Sequence, residues 1–438
     1  MKKCRLPVVS SARFLERFLV VLAVLSASVS QGQEWTRFRG PNGQGISSAQ
    51  TIPVKWTQED YNWKVKLPGG GHSSPVAWKD KIFVTSGDEE TDCGTILAVS
   101  VSDGQTLWQK EYALGSYRMN RLNCYAATSP TVDADHVYVL WPASNKTILA
   151  ALDHTGNEVW KRTFEGVHSR HGAGGSPVVF EDIVVFTHEQ EQGSNDVDST
   201  WIAVDRKTGQ TRWRLQRERS SKMSYSTPCA YQFGTDKPQL VFTSYAHGIT
   251  GMDLRTAEVV WEAKSAFGDR VVSSPVIAGE LIIGTCGEGG SGRRLIAIQP
   301  GKGDKTTEPK EVYRIEGSSA TYVPTALAIE GLLFTVHDQG HISCLKSATG
   351  EQLWREKPAG RFYGSPVYVG GNLYCITIAG EVVVTKAAPS YELLAVNPLG
   401  EKSHATPAIA GGRMYLRTYS HLISIGPKEE QAGPSSSQ

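Results

Sequence analysis

Histidine, arginine, lysine and tyrosine gather at two recurring places in this sequence. The first lies just ahead of apolar runs that open on Ser-Pro or Thr-Pro. It holds His72, Arg118, Asn123, Tyr125, His168, Arg170, His171, Lys222, Tyr225, Asp269, Arg270, Tyr322, Arg361, Tyr363 and His404. The second follows the next apolar run and holds His188, Glu189, His247, Glu288, His337 and Asp338. Residues of these types suit an anionic or sugar-like ligand, with bidentate arginine contacts as the strongest element. A solvated rim would also be polar at these positions, so each residue alone carries little. Their force depends on one condition: elements far apart in sequence must bring them to one place.

Other chemistries are poorly served. Val167-His-Ser-Arg-His-Gly172 is the densest stretch, and His168 and His171 with Glu189 could be imagined around a metal. No CxxC or Cys/His spacing supports zinc, and no metal is expected. Gly287, Gly289, Gly290 and Gly292 are followed by no Lys-Ser/Thr, so Gly284–Gly292 reads as a loop between strands, not a phosphate loop. Ser73-Ser74-Pro75 lacks the surroundings of a nucleophile.

The positioning elements are repeats. Pro75, Pro130, Pro177, Pro228, Pro275, Pro324, Pro366 and Pro407 open eight units. Ser or Thr precedes the proline in seven, and Val323 replaces it once. Proline fits the first position of a strand, where no ladder donor is needed. A hairpin to a second strand follows, as in Gly370-Gly-Asn-Leu-Tyr374. The third strand ends in Ala-x-Asp and a Thr-Gly turn, and the fourth carries a tryptophan. The clearest copy is Ala203, Asp205, Thr208, Gly209 and Trp213. Trp63, Trp108, Trp160, Trp261 and Trp354 hold the same place in other units. Their fixed position makes them packing wedges between units. The fifth unit has Tyr313 there and the seventh Leu394.

The eighth unit ends at Ile425 without a fourth strand. Tyr61–Leu67, ahead of the first unit, supplies it. The pattern predicts an all-β, eight-bladed propeller of four-stranded antiparallel blades, closed by the N-terminal strand without a free edge. The organisation is then residues 1–32 as a signal peptide, 33–60 as an N-terminal extension, 61–426 as the propeller and 427–438 as a disordered tail.

Lys2, Lys3, Arg5, Arg13 and Arg17 with the apolar run Phe18 to Leu25 form the export signal. That run is about half of what a bilayer span requires, so the mature chain is expected without a transmembrane segment, in the periplasm or secreted. A net charge of +1 over 438 residues argues against nucleic acid as partner. A monomer is expected. Cys93 and Cys124 fall in loops and are the one pair worth testing for a disulfide. Cys344 and Cys375 read as small core residues.

These residues resemble the pyrroloquinoline-quinone-like propeller superfamily over about residues 60 to 425. Ala203 to Trp213 matches its Trp-docking motif. Trp35-Thr-Arg-Phe-Arg-Gly-Pro41 is similar to the start of short secreted bacterial propellers. The resemblance implies the fold. It leaves activity open, because the superfamily holds quinoprotein dehydrogenases and also proteins without cofactor, such as the propeller lipoprotein of the outer-membrane barrel-assembly machinery. The dehydrogenases add adjacent cysteines over the quinone, Ca²⁺ ligands and a catalytic Asp. This chain has no Cys-Cys dipeptide, and no catalytic residue carries over. The expected function is therefore a non-catalytic binding or scaffolding module acting through loops at one face. Its partner would be an envelope protein or a glycan, with no cofactor. The alternatives are a quinone-dependent oxidoreductase using pyrroloquinoline quinone with Ca²⁺, and a polysaccharide-binding propeller.

Overall fold

The computed structural model describes residues 34–192, 197–232, 234, 237–302 and 307–428. The segment expected as a signal peptide, residues 1–32, and residues 429–438 of the expected tail lie outside them. The described residues form eight four-stranded antiparallel sheets. Blades 1 to 7 span residues 76–113, 131–165, 178–217, 229–263, 276–316, 327–356 and 367–398. Blade 8 takes three strands from residues 408–425, and its outer strand is Trp63–Lys66. Val65 pairs with Leu422, so the N-terminal strand closes the ring as the repeats require.

Most blade-to-blade contacts are built on the repeat. Ala203 pairs with Trp213 across the last two strands, and Cys344 with Trp354. A small residue there leaves room for the indole. The indole then leans on the next blade: Trp108, Trp160 and Trp213 donate Nε1–H to the carbonyls of His154, Arg206 and Leu254. Trp63 and Trp354 reach Val101 and Ala388 in the same way. Tyr313 substitutes for the indole in blade 5, its hydroxyl donating to Ser347 O at 2.8 Å. Trp261 departs, donating instead to Gln239 within its own blade. Gly209 has φ of 70°, and a Cβ there would lie 2.7 Å from Trp160, so the turn glycine is required twice over.

Two expectations about the repeat need correction. In blade 7 the register places Ala395, not Leu394, opposite Val384 at the Trp position. The empty place is met from outside the repeat. Trp56 stacks on Tyr374 at 6.4 Å, and Asn397 binds the backbone at Trp56 and Val54. The stretch expected as a loop at Gly284 to Gly292 is mostly strand: Gly284 and Gly287 lie in Leu281–Glu288, and Ser291 begins the next. Cys93 likewise heads a strand, Cys93–Ser100, and it and Cys124 are free thiols.

The Ser/Thr of each Ser/Thr-Pro pair has a role beyond strand entry. The amide of Ser74 donates to the hydroxyl of Ser129, Ser129 to Ser176, Ser176 to Thr227 and Thr227 to Ser274. Ser274 donates to Thr325, Thr325 to Ser365, Ser365 to Thr406, and Thr406 back to Ser74. Eight buried bonds of 2.8–3.1 Å thus form an unbroken circle through all eight blades. Val323 is no exception to the pattern. In blade 6 the hydroxyl has moved past the proline to Thr325. Thr325→Val keeps the shape but strands the buried Ser274 amide, and should cost about 1–3 kcal/mol in urea unfolding. Val323→Thr should change stability by less than about 0.5 kcal/mol. Equal effects would remove the circle as the reason for the repeat.

Residues 34–47 do not simply precede the ring; they run through its centre, and residues 51–60 pass outward over blades 7 and 8. Trp35 pairs with Ala77 of blade 1, and Thr36 O accepts from Val132 of blade 2. Arg37 lies over Phe180 of blade 3 and donates to Pro228 O at the entry to blade 4. Asn42 exchanges two bonds with Ala230 of blade 4, and Gln44 accepts from Ile277 of blade 5. Arg39 donates to Thr325 O and Ala326 O at blade 6 and to Pro366 O at blade 7. Gly45 and Ser47 bond Tyr368 of blade 7, and Thr51 bonds Gly412 of blade 8. The segment is an axle with a contact to every blade. Arg39 and Gly40 hold φ of 63° and 66°, and Gly40 lies against the fully buried Trp35.

Candidate functional site

Above the axle lies a cavity of ≈ 1060 Å³. All eight hydroxyl residues of the circle line it: Ser74, Ser129, Ser176, Thr227, Ser274, Thr325, Ser365 and Thr406. Phe38 lines it too, the only residue of the axle to do so. The cavity is at the upper end of the size range of small-molecule pockets.

The fold brings eleven of the candidate site residues to this cavity: His72, Asn123, His171, Tyr225, Arg270, Tyr322, Arg361, Tyr363 and His404, with Glu288 and Asp338 from the second group. The first nine come from the loops that enter all eight blades, which is why only a closed ring can assemble them. Asn123 Nδ2 donates to the carbonyls of His171 and Ala173, tying two of these loops together. Arg361 donates to Asp338 O and to the Tyr363 hydroxyl. Tyr363 meets the edge of His404 at 4.9 Å, and His404 stacks on His72 at 4.2 Å. Arg270 is 3.8 Å from the buried Glu191.

The other ten are placed elsewhere. Arg118 and Arg170 are exposed on the loops. Tyr125 is buried and donates to Asp92. His168 accepts no place at the cavity; its amide donates to Gln190. His188 bonds Glu165 O, and Glu189 accepts the Trp201 indole N–H at 3.0 Å. Lys222 bridges Asp269 and Glu288. His247 is buried 3.8 Å from Glu262, and His337 accepts from the Gln339 amide. Tyr125, His188, Glu189 and Lys222 thus spend their side chains on bonds to neighbouring segments. Among the described residues, no group of three His, Cys, Asp or Glu is arranged to hold a metal ion.

Several lining residues were not singled out in the sequence. Phe38 sits within Trp35–Pro41, whose pattern was legible but whose place on the axis was not. Arg293 forms a buried two-point pair with Asp338, 3.0 and 2.9 Å. Arg121 and Lys357 carry exposed charges at the rim. The hydroxyl circle had a signal, the Ser/Thr before each proline.

The lining holds five cationic side chains, Arg121, Arg270, Arg293, Lys357 and Arg361, against two carboxylates, Glu288 and Asp338. Both carboxylates are already paired, with Lys222 and Arg293. Arg121, Lys357 and Arg361 form no ion pair among the described residues. The cavity therefore presents net positive charge. The stacked imidazoles add none at neutral pH. Burial pushes His72 down to about 3, reinforced by His404 and Arg417, and pushes His404 down to about 4, reinforced by Lys402. Both rings bind protons more readily when unfolded, so stability should fall as pH drops from about 6.5 towards 4. Each ring contributes up to about 1.4 kcal/mol per pH unit in that window. His72→Gln should flatten the profile there, and a slope equal to that of the unaltered protein would refute the assignment.

The residue pattern and the fold match a known group of proteins. A family model described as outer membrane protein assembly factor BamB matches residues 92–324 and 338–429. No curated protein matches the chain. Among solved structures, a europium-containing methanol dehydrogenase is similar with a TM-score of 0.66 at 11% identity, covering 90% of this chain and 98% of that one. The quinohemoprotein alcohol dehydrogenase from Comamonas testosteroni reaches 0.63 at 13%, covering 93% and 82%. BamB from Moraxella catarrhalis reaches 0.55 at 14%, covering 84% and 97%. At such identities these likenesses speak of fold alone, but the family model spans most of the sequence, and the chain belongs to the pyrroloquinoline-quinone-like propeller repeat family that it describes.

Proposed function

We propose that this protein is an exported, non-catalytic binding module whose ligand presents an anionic group to the axial cavity. One observation carries the reading: the cavity's carboxylates are neutralised by neighbours, while Arg121, Lys357 and Arg361 are left without acidic partners. An anion entering there gains charge-assisted hydrogen bonds in a site the protein has shaped in advance. Export is supported by the basic residues ahead of Phe18 to Leu25. No helix among the described residues is long and apolar enough to cross a membrane.

Pyrroloquinoline quinone with Ca²⁺ fits this donor set poorly. The cations could meet carboxylates of the quinone. Ca²⁺ needs six to eight oxygen ligands, usually including free carboxylates, and here Glu288 and Asp338 are engaged by Lys222 and Arg293. The test is direct. Purified protein with the quinone and Ca²⁺ should not reduce a dye in the presence of alcohols or aldose sugars. A small tricarboxylate should raise the melting temperature, and added salt should weaken that effect. Saturable quinone binding with turnover would replace this reading by an oxidoreductase.

A further inference from the structure

Each hydroxyl in the circle uses its oxygen to accept an amide N–H from the preceding blade. Its own proton must therefore point elsewhere. None of the eight donates to a protein acceptor among the described residues, and all eight line the cavity. The base of the cavity is a crown of eight O–H donors that the protein leaves unused. It asks for a ligand rich in acceptors.

Three further features narrow that ligand. Phe38 at the floor, with Tyr225, Tyr322 and Tyr363 in the walls, offers apolar faces. Arg361 and its neighbours ask for negative charge. The axle contacts every blade below the crown, so a chain molecule can enter by an end but cannot thread through. A simple inorganic anion has no apolar face, and a neutral sugar has no charge. A pyranose bearing a carboxylate has hydroxyl and ring-oxygen acceptors, a C–H face and a charge together.

Resting on the anion-binding reading above, we propose that the crown seats the terminal residue of an acidic oligosaccharide built from uronic acids. The end sugar lies among the hydroxyls over Phe38, and carboxylates of the end and following sugars meet Arg361 and the rim cations.

The experiment is calorimetric titration of the mature protein with a galacturonate trimer, a galacturonate dodecamer, a neutral galactose trimer and citrate. The galacturonate trimer should bind at least about tenfold more tightly than the neutral one. One protein should bind per chain for both trimer and dodecamer, because only one end fits. Arg361→Gln and Phe38→Leu should each weaken trimer binding about tenfold, with melting temperatures near that of the unaltered protein to show intact folding. Several proteins on each dodecamer, or equal binding of neutral and acidic trimers, would overturn the inference. Citrate binding that Arg361→Gln abolishes, with no trimer binding, would overturn it while sparing the anion-binding reading. Binding of none of the four would overturn both.

Discussion

Arg39→Ala should lower the free energy of unfolding by about 3–5 kcal/mol. The guanidinium is fully buried and has no carboxylate beside it. It donates instead to five carbonyls, those of Gly43, Gln44, Thr325, Ala326 and Pro366. Burial of the charge alone is unfavourable and pushes its pKa down to about 9. Removing the side chain relieves that cost, but it leaves five acceptors facing one another in a space narrow for water. A buried acceptor without a donor costs about 1–3 kcal/mol, so the loss outweighs the relief. Arg39→Met, which restores volume but no donors, should be nearly as damaging. A loss under about 1 kcal/mol for both, in urea unfolding, would show that the axle is a passenger and that the ring holds itself.

Trp201→Ala should cost a similar or larger amount, about 4–5 kcal/mol. Trp201 is fully buried, lies 4.0 Å from Phe242 in a stacked pair, and has Arg217 over its other face at 4.4 Å. Its indole N–H also holds the buried Glu189 carboxylate. Burial pushes the Glu189 pKa up, and the indole bond opposes that shift. Trp201→Phe would keep most of the packing and lose the bond, so Glu189 should hold its proton to higher pH. A carboxyl whose folded pKa is raised favours the folded state at low pH, and that advantage fades as pH rises through its folded value. Trp201→Phe should therefore lose more stability at pH 8 than at pH 5. An equal loss at both would mean that Glu189 does not sense the indole.

The ring was legible because its repeat is written in residues that do one job each. Pro75 and its equivalents start strands, Gly209 admits Trp160, and Tyr61–Leu67 is too strand-like to leave unpaired. What was obscure followed from position in space. Val323 looked like a lapse because the hydroxyl had slipped to Thr325. Leu394 looked like the wedge because a one-residue register difference cannot be seen without a partner strand. Eleven of the candidate site residues reached the cavity and ten did not, since a loop residue's type does not say which way it points. Arg170 and His171 are adjacent, yet one is exposed and the other lines the cavity. Phe38 was hidden for a different reason: nothing local tells a segment ahead of the repeats that it will occupy the axis of the ring that the repeats build.

Blade 8 joins the two extremes of the polypeptide, with Asn62 and Ser424 bonded across 362 positions. A chain emerging amino end first from a ribosome must keep Trp63–Lys66 unsatisfied until Leu422 has appeared. The closing step is therefore the least local one available, and such contacts form slowly. Until then the molecule carries an open strand edge at each end, the condition that invites pairing with another copy. A premature stop within the last twenty residues of the ring would thus injure the beginning of the protein as much as its end, and should yield aggregates in place of a shortened propeller.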